Sequence, residues 1–89
     1  MQGICKVYVP SPLSSYTGEA TTVEAAGDSV AEVLADLDRT YPGIRRIINE
    51  QDEIRRHIKI FVNRDRITDL AVPLTMADEV MIVCALSGG

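Results

Sequence analysis

The chain has 89 residues, 46% of them hydrophobic and 25% charged, and carries a net charge of −4. That length admits one domain with one core, and the charged fraction argues against a disordered chain and against a membrane protein, since no apolar run approaches the roughly 20 residues that span a bilayer. The acidic balance argues against a nucleic-acid binder, which needs a basic patch to neutralise phosphates, and it suits a partner with a basic docking face.

No basic segment followed by an apolar stretch opens the chain, so no signal peptide is expected and the cytoplasm is the expected compartment. Residues 4–9 alternate, with Cys5, Val7 and Val9 on one side and Ile4, Lys6 and Tyr8 on the other, the period of a half-buried strand. Pro10 and Pro12 end it, and a loop is expected through residues 14–18. Residues 21–25 read as a second, antiparallel strand closed by Gly27-Asp28.

The clearest helix follows. Ser29 and Glu32 have the spacing of a capping box, and Val30, Val33, Leu34, Leu37 and Tyr41 fall on one stripe, with Glu32, Asp36 and Asp38 on the wet side. Pro42-Gly43 stops the helix because proline cannot continue the ladder and glycine tolerates the turn. A short helical turn with Ile44, Ile47 and Ile48 is expected to end near Asn49. Arg45, Arg46, Arg55 and Arg56 then alternate with Glu50, Asp52 and Glu53 into a nearly neutral segment, read as solvated surface.

Residues 57–62 read as a third strand, with Ile58, Ile60 and Val62 inward and His57, Lys59 and Phe61 outward. Residues 63–66 form a polar turn, 66–70 a short edge strand, and 77–79 a turn into the last strand, 80–86. That strand is nearly all apolar, as a central strand should be. The order is strand, strand, helix, strand, short strand, strand. It gives an α+β fold of the β-grasp (ubiquitin-like) class: a mixed sheet, its first and last strands parallel in the middle, with one main helix packed on one face. Residues 1–86 are expected to form that single domain, with 87–89 as a flexible tail.

The two cysteines, Cys5 and Cys84, lack the close Cys or His neighbours of a zinc site, and no other metal site is visible. Both read as buried strand thiols, too far apart along parallel strands to form a bridge. His57 has no catalytic partner near it in sequence. With no acid/base or nucleophile constellation and no glycine-rich phosphate loop, the chain is not expected to be an enzyme or to bind a cofactor itself.

The chemistry therefore moves to the end of the chain. Gly88-Gly89 form a thin peptide without Cβ atoms. Together with Leu86 and Ser87 they can thread a narrow channel and present the Gly89 carboxylate inside another protein. An ionised carboxylate is inert to nucleophiles. Activation by ATP as an acyl-adenylate makes it electrophilic, and a sulfur nucleophile then displaces AMP to leave a thiocarboxylate. By strand alternation Tyr8, Phe61, Met81 and Val83 point to the open side of the sheet, an apolar patch of the kind that docks a partner.

Val9-Pro10, Leu13, Tyr16-Thr17-Gly18, Gly27-Asp28, Tyr41-Pro42-Gly43-Ile44, Ile58 through Val62-Asn63, Asp78-Glu79-Val80, Ile82-Val83 and Gly88-Gly89 stand in an order that resembles the MoaD/ThiS sulfur carriers, most of all their CysO-like branch. The resemblance covers nearly the whole chain. It implies a partner adenylyltransferase of the E1-like class that uses ATP and magnesium, a sulfur donor, and a sulfur-acceptor enzyme. Across the branches that acceptor is a cysteine synthase-like enzyme, with a JAMM-type metalloprotease releasing the product, the large subunit of molybdopterin synthase, or thiazole synthase. Cys84-Ala85-Leu86-Ser87 stands where the family commonly has Pro-Ala-Val-Ala, and Ala77 where it often has glycine. Two other functions share the same features: a ubiquitin-like modifier joined to lysines through Gly89, and a non-catalytic interaction subunit acting through its sheet face.

Overall fold

The computed structural model describes residues 4–50, 53–75 and 78–84. Strand β1 (Ile4–Tyr8) buries Cys5 and Val7 and leaves Ile4 and Lys6 exposed, as its alternation requires. Strand β2 (Thr22–Ala26) pairs with it antiparallel, Ile4 opposite Ala26 and Tyr8 opposite Thr22.

Between them the expected loop is a 3-10 helix, Ser11–Thr17. Pro12 lies in its first turn, where a missing N–H costs nothing. The Ser14 hydroxyl donates to the Ser11 carbonyl at 2.8 Å and the Thr17 hydroxyl to the Ala20 carbonyl at 2.7 Å. Leu13 anchors the segment in the core, and Gly18, at φ 65°, closes it.

Helix α1 (Val30–Thr40) starts where the capping pattern puts it. The Glu32 N–H donates to the Ser29 hydroxyl at 3.2 Å, and the Glu32 carboxylate accepts from the Asp28 N–H at 2.9 Å. Two further N–H groups of the first turn are satisfied from outside the helix: Val30 donates to the Val72 carbonyl and Ala31 to the Leu70 carbonyl. Val30, Val33, Leu34 and Leu37 are buried. Asp36 and Asp38, expected in solvent, are half-buried and engaged. Asp36 accepts from the Ala26 N–H at 2.9 Å, and Asp38 accepts from the N–H groups of Gly43 and Arg45 at 3.0 and 3.1 Å. Unpaired backbone donors at the end of β2 and after α1 draw these carboxylates away from water.

Gly43, at φ 99°, turns the chain into helix α2 (Ile44–Ile48), whose Ile44 and Ile48 are fully buried. The charged segment read as plain surface holds two short paired strands, β3 (Asn49–Glu50) and β4 (Glu53–Ile54). Arg55 folds the segment back: its N–H donates to the Ile48 carbonyl, its Nε to the Arg46 carbonyl, and its guanidinium lies 3.5 Å from Glu50.

Strand β5 (Ile58–Val62) buries Ile58, Ile60 and Val62. Asn63 and Arg64 have φ of 51° and 78° and make a two-residue turn into strand β6 (Asp65–Ile67). The polar turn is therefore shorter than residues 63–66, and the edge strand starts and ends earlier than 66–70. Strand β7 (Glu79–Cys84) starts one residue before the expected 80; Ala85 and Leu86, expected at its end, lie outside the described residues. It runs parallel to β1 and antiparallel to β5, in the sheet order β2-β1-β7-β5-β6. Helix α1 covers the inner face, and the β-grasp arrangement is the one expected.

Candidate functional site

The tail residues Leu86, Ser87, Gly88 and Gly89 lie outside the described residues. What the structure gives is the strand that leads to them and the face beside it. β7 lies between β1, which pairs with Glu79 to Met81, and β5, which pairs with Val80 to Cys84, so its described end, Cys84, is held opposite Ile58.

The four residues expected on the open face are brought together. Tyr8 and Phe61 both take Met81 as their cross-strand partner, so the three side chains form one row across three strands. Directly paired residues have Cβ atoms about 5 Å apart, which puts such side chains in contact. Val83 is the next residue of β7 on that face, opposite Lys59. Met81 is 41% exposed, and Tyr8, Phe61 and Val83 are half-buried. Around this apolar centre the pairs Tyr8–Thr22, Lys6–Glu79 and Phe61–Arg66 supply a polar rim. An apolar centre inside a polar rim is the composition of a docking surface. Arg66 was not expected on it: sequence alone placed it where the polar turn meets the edge strand, without a partner. The left-handed preference of Asn63 was the available signal, since a two-residue turn places Arg66 opposite Phe61.

The start of β7 is fixed by a hydrogen-bond network. Asn63 Nδ2 donates to Asp78 Oδ1 at 2.7 Å, while Asn63 Oδ1 accepts from the Glu79 N–H at 2.9 Å. The other Asp78 oxygen accepts from the Thr75 N–H at 2.9 Å. The Thr75 backbone hydrogen bond, followed by that from Asn63, holds the Asp78 carboxyl below its ordinary range.

Both cysteines are free. Cys5 is buried, and its thiol donates to the Thr75 carbonyl at 3.3 Å; burial, and then the charge of Asp78, push its pKa up, which disfavours the thiolate. Cys84 is half-buried and packs against the core. Lys6 of β1 pairs with Glu79, so Cys5 and Cys84 lie near opposite ends of the β1–β7 pair, well beyond bridging distance. His57 is exposed, as expected. Among the described residues no three His, Cys, Asp or Glu side chains gather to hold a metal, and no helix is long and apolar enough to cross a membrane.

The ThiS family model matches residues 7–89. The sulfur carrier protein CysO of Mycobacterium tuberculosis is 32% identical over 89 residues, covering 93% of this chain and 96% of its own. A chain of the Amycolatopsis orientalis BexX/CysO complex superposes with a TM-score of 0.89 at 27% identity, covering 96% of this chain and 99% of that one. The small archaeal modifier protein 1 of Methanosarcina acetivorans superposes with a TM-score of 0.81 at 25% identity, covering 100% and 99%. A match that takes in all but the first six residues settles the assignment: the chain belongs to the ThiS family.

Proposed function

We propose that this chain is a sulfur carrier, a protein substrate and not an enzyme, whose reactive group is the Gly89 carboxylate. The observation that supports this most directly is that the stretch shared with the family runs through Gly88-Gly89. An E1-like partner using ATP and magnesium joins the carboxylate to the α-phosphate and releases pyrophosphate. A sulfur nucleophile attacks the acyl carbon, AMP leaves, and a thiocarboxylate remains. A sulfur-acceptor enzyme then takes the sulfur. The likeness to CysO favours a cysteine synthase-like acceptor over molybdopterin synthase or thiazole synthase.

In this reading the row Tyr8–Met81–Phe61 with Val83 seats the partner, and Leu86 to Gly89 thread its channel. The residues described supply the docking face, and the partner supplies the nucleotide chemistry. Intact-mass spectrometry tests the reading: incubation with ATP, sulfide and an E1-like enzyme should add the mass difference between sulfur and oxygen. No such gain, with the enzyme active on another carrier, refutes it.

The likeness to a small archaeal modifier protein favours a second outcome of the same adenylation, in which a lysine amine displaces AMP and Gly89 becomes an isopeptide. Covalent species heavier than the chain by a whole target protein would mark that route.

A further inference from the structure

The net charge of the chain hides a strongly uneven distribution. A cleft of about 250 Å³ opens between β4, the turn after it, β5 and β6, lined by Glu53, Arg55, Arg56, Lys59 and Arg66 with apolar walls from Ile54, Ile58 and Ile67. Four of the nine Lys and Arg residues line it, and among the described Asp and Glu residues only Glu53 does. An acidic protein thus gathers nearly half of its cations at one place.

Three of those cations are uncommitted among the described residues. Arg55 is occupied by Glu50 and the Arg46 carbonyl. Arg56, Lys59 and Arg66 form no ion pair among the described residues. Like charges held close together repel one another, so such a cluster is more stable when an anion occupies it.

Its position ties it to the docking face and to the described end of β7. Lys59 is paired with Val83 and Arg66 with Phe61, so the cleft continues directly from the apolar row. Ile58, one of its walls, is the partner of Cys84, the last described residue before the run to Gly89.

We infer that the Arg56–Lys59–Arg66 cleft receives an acidic surface of the adenylating enzyme and so sets how fast and how tightly the carrier is captured. The inference rests on the carrier reading above. It reverses the expectation of a basic partner face, because net charge averages over a distribution that the fold segregates. Charges of this kind at the edge of an apolar contact mainly steer association, and their effect fades with salt.

The test is steady-state ATP–pyrophosphate exchange by the E1-like enzyme, with the full chain as the varied substrate. Arg56→Glu/Lys59→Glu/Arg66→Glu should raise KM about tenfold or more at low ionic strength, with kcat little changed and the difference shrinking as salt is added. The milder Gln triple should give a smaller rise in the same direction, and it serves alone if the Glu triple fails to fold. Arg39→Glu, on the exposed side of α1, changes net charge elsewhere and should leave KM within about twofold of wild type. Unchanged KM in the triples, or an equal rise with Arg39→Glu, overturns the inference. Saturable binding of inorganic pyrophosphate at these residues by NMR, with KM unaffected by the triples, would assign the cleft to a small anion and also overturn it. A wild-type chain that is never adenylated would instead remove the carrier reading, and this inference with it.

Discussion

Asn63, in the turn that ends β5, holds Asp78, the residue before β7, by a 2.7 Å hydrogen bond across fifteen positions of sequence. The same Asn63 side chain receives the N–H of Glu79, and the Asn63 N–H donates to the Glu79 carbonyl at 2.9 Å. One turn residue therefore sets the register at which the central strand enters the sheet. A slip of one residue would turn Val80 and Ile82 to solvent and Met81 and Val83 into the core.

Asn63→Ala should destabilise the fold by about 1–2 kcal/mol. It removes two side-chain hydrogen bonds, each worth about 0.5–1.5 kcal/mol at most on an exposed surface, and puts a less suitable residue at positive φ. Asn63→Gly keeps the backbone conformation and should cost less. Urea denaturation followed by circular dichroism measures both; equal stability of all three proteins would show that the network does not fix the strand.

Asp78 gives this network an acid limb. Hydrogen bonding by Thr75 and Asn63 lowers its folded-state pKa below the ordinary 3.8, so the unfolded state binds the proton more readily. Its contribution is fully present above the unfolded value and is lost as pH falls through the folded one. The urea midpoint of wild type should therefore exceed that of Asp78→Asn near neutrality, and the two should converge as pH is lowered below the ordinary carboxylate value. A gap that stays constant down to the lowest pH would contradict this.

Gly27→Ala should destabilise the protein by about 1–3 kcal/mol, the usual penalty for overpacking. A Cβ there would lie 2.6 Å from the Val33 nitrogen and 2.8 Å from Glu32 Cβ, and backbone cannot step aside as a flexible side chain can. The strain should appear as a lower thermal midpoint, and Gly18→Ala makes a useful contrast, since its cost comes from φ 65° with nothing within 4 Å of the added atom. Wild-type stability in Gly27→Ala would mean that α1 can move off the end of β2 freely.

Phe61→Asp and Val83→Asp place a charge at the centre of the apolar row. Each should raise KM for adenylation about tenfold or more, the loss expected when a central interface residue is replaced. Circular dichroism should stay close to wild type, because both side chains are only half-buried. Unchanged adenylation kinetics in both variants would move the docking site elsewhere.

Much of this protein could be read from its residues in order. Alternation in β1, β5 and β7 and the stripe of α1 are local periodicities, and a residue facing the core must be apolar whatever surrounds it. The capping pair Ser29–Glu32 and the stop at Pro42-Gly43 are local as well, so the main helix, the strands of the five-stranded sheet, the central place of β7 and the row Tyr8, Phe61, Met81, Val83 followed from sequence, while the short β3–β4 pair did not. What sequence could not show depends on partners distant along the chain. The 3-10 helix at Ser11–Thr17 is anchored by Leu13 in a core assembled from other segments. The engagement of Asp36 and Asp38 requires N–H groups of Ala26, Gly43 and Arg45 to be brought to them. The basic cleft exists because folding sets Arg66 beside Arg56 and Lys59, whereas in sequence acidic residues dilute each run of charge. Hydrophobic periodicity is fixed by the geometry of one element, but the electrostatic surface is a sum over elements that only the tertiary fold places side by side.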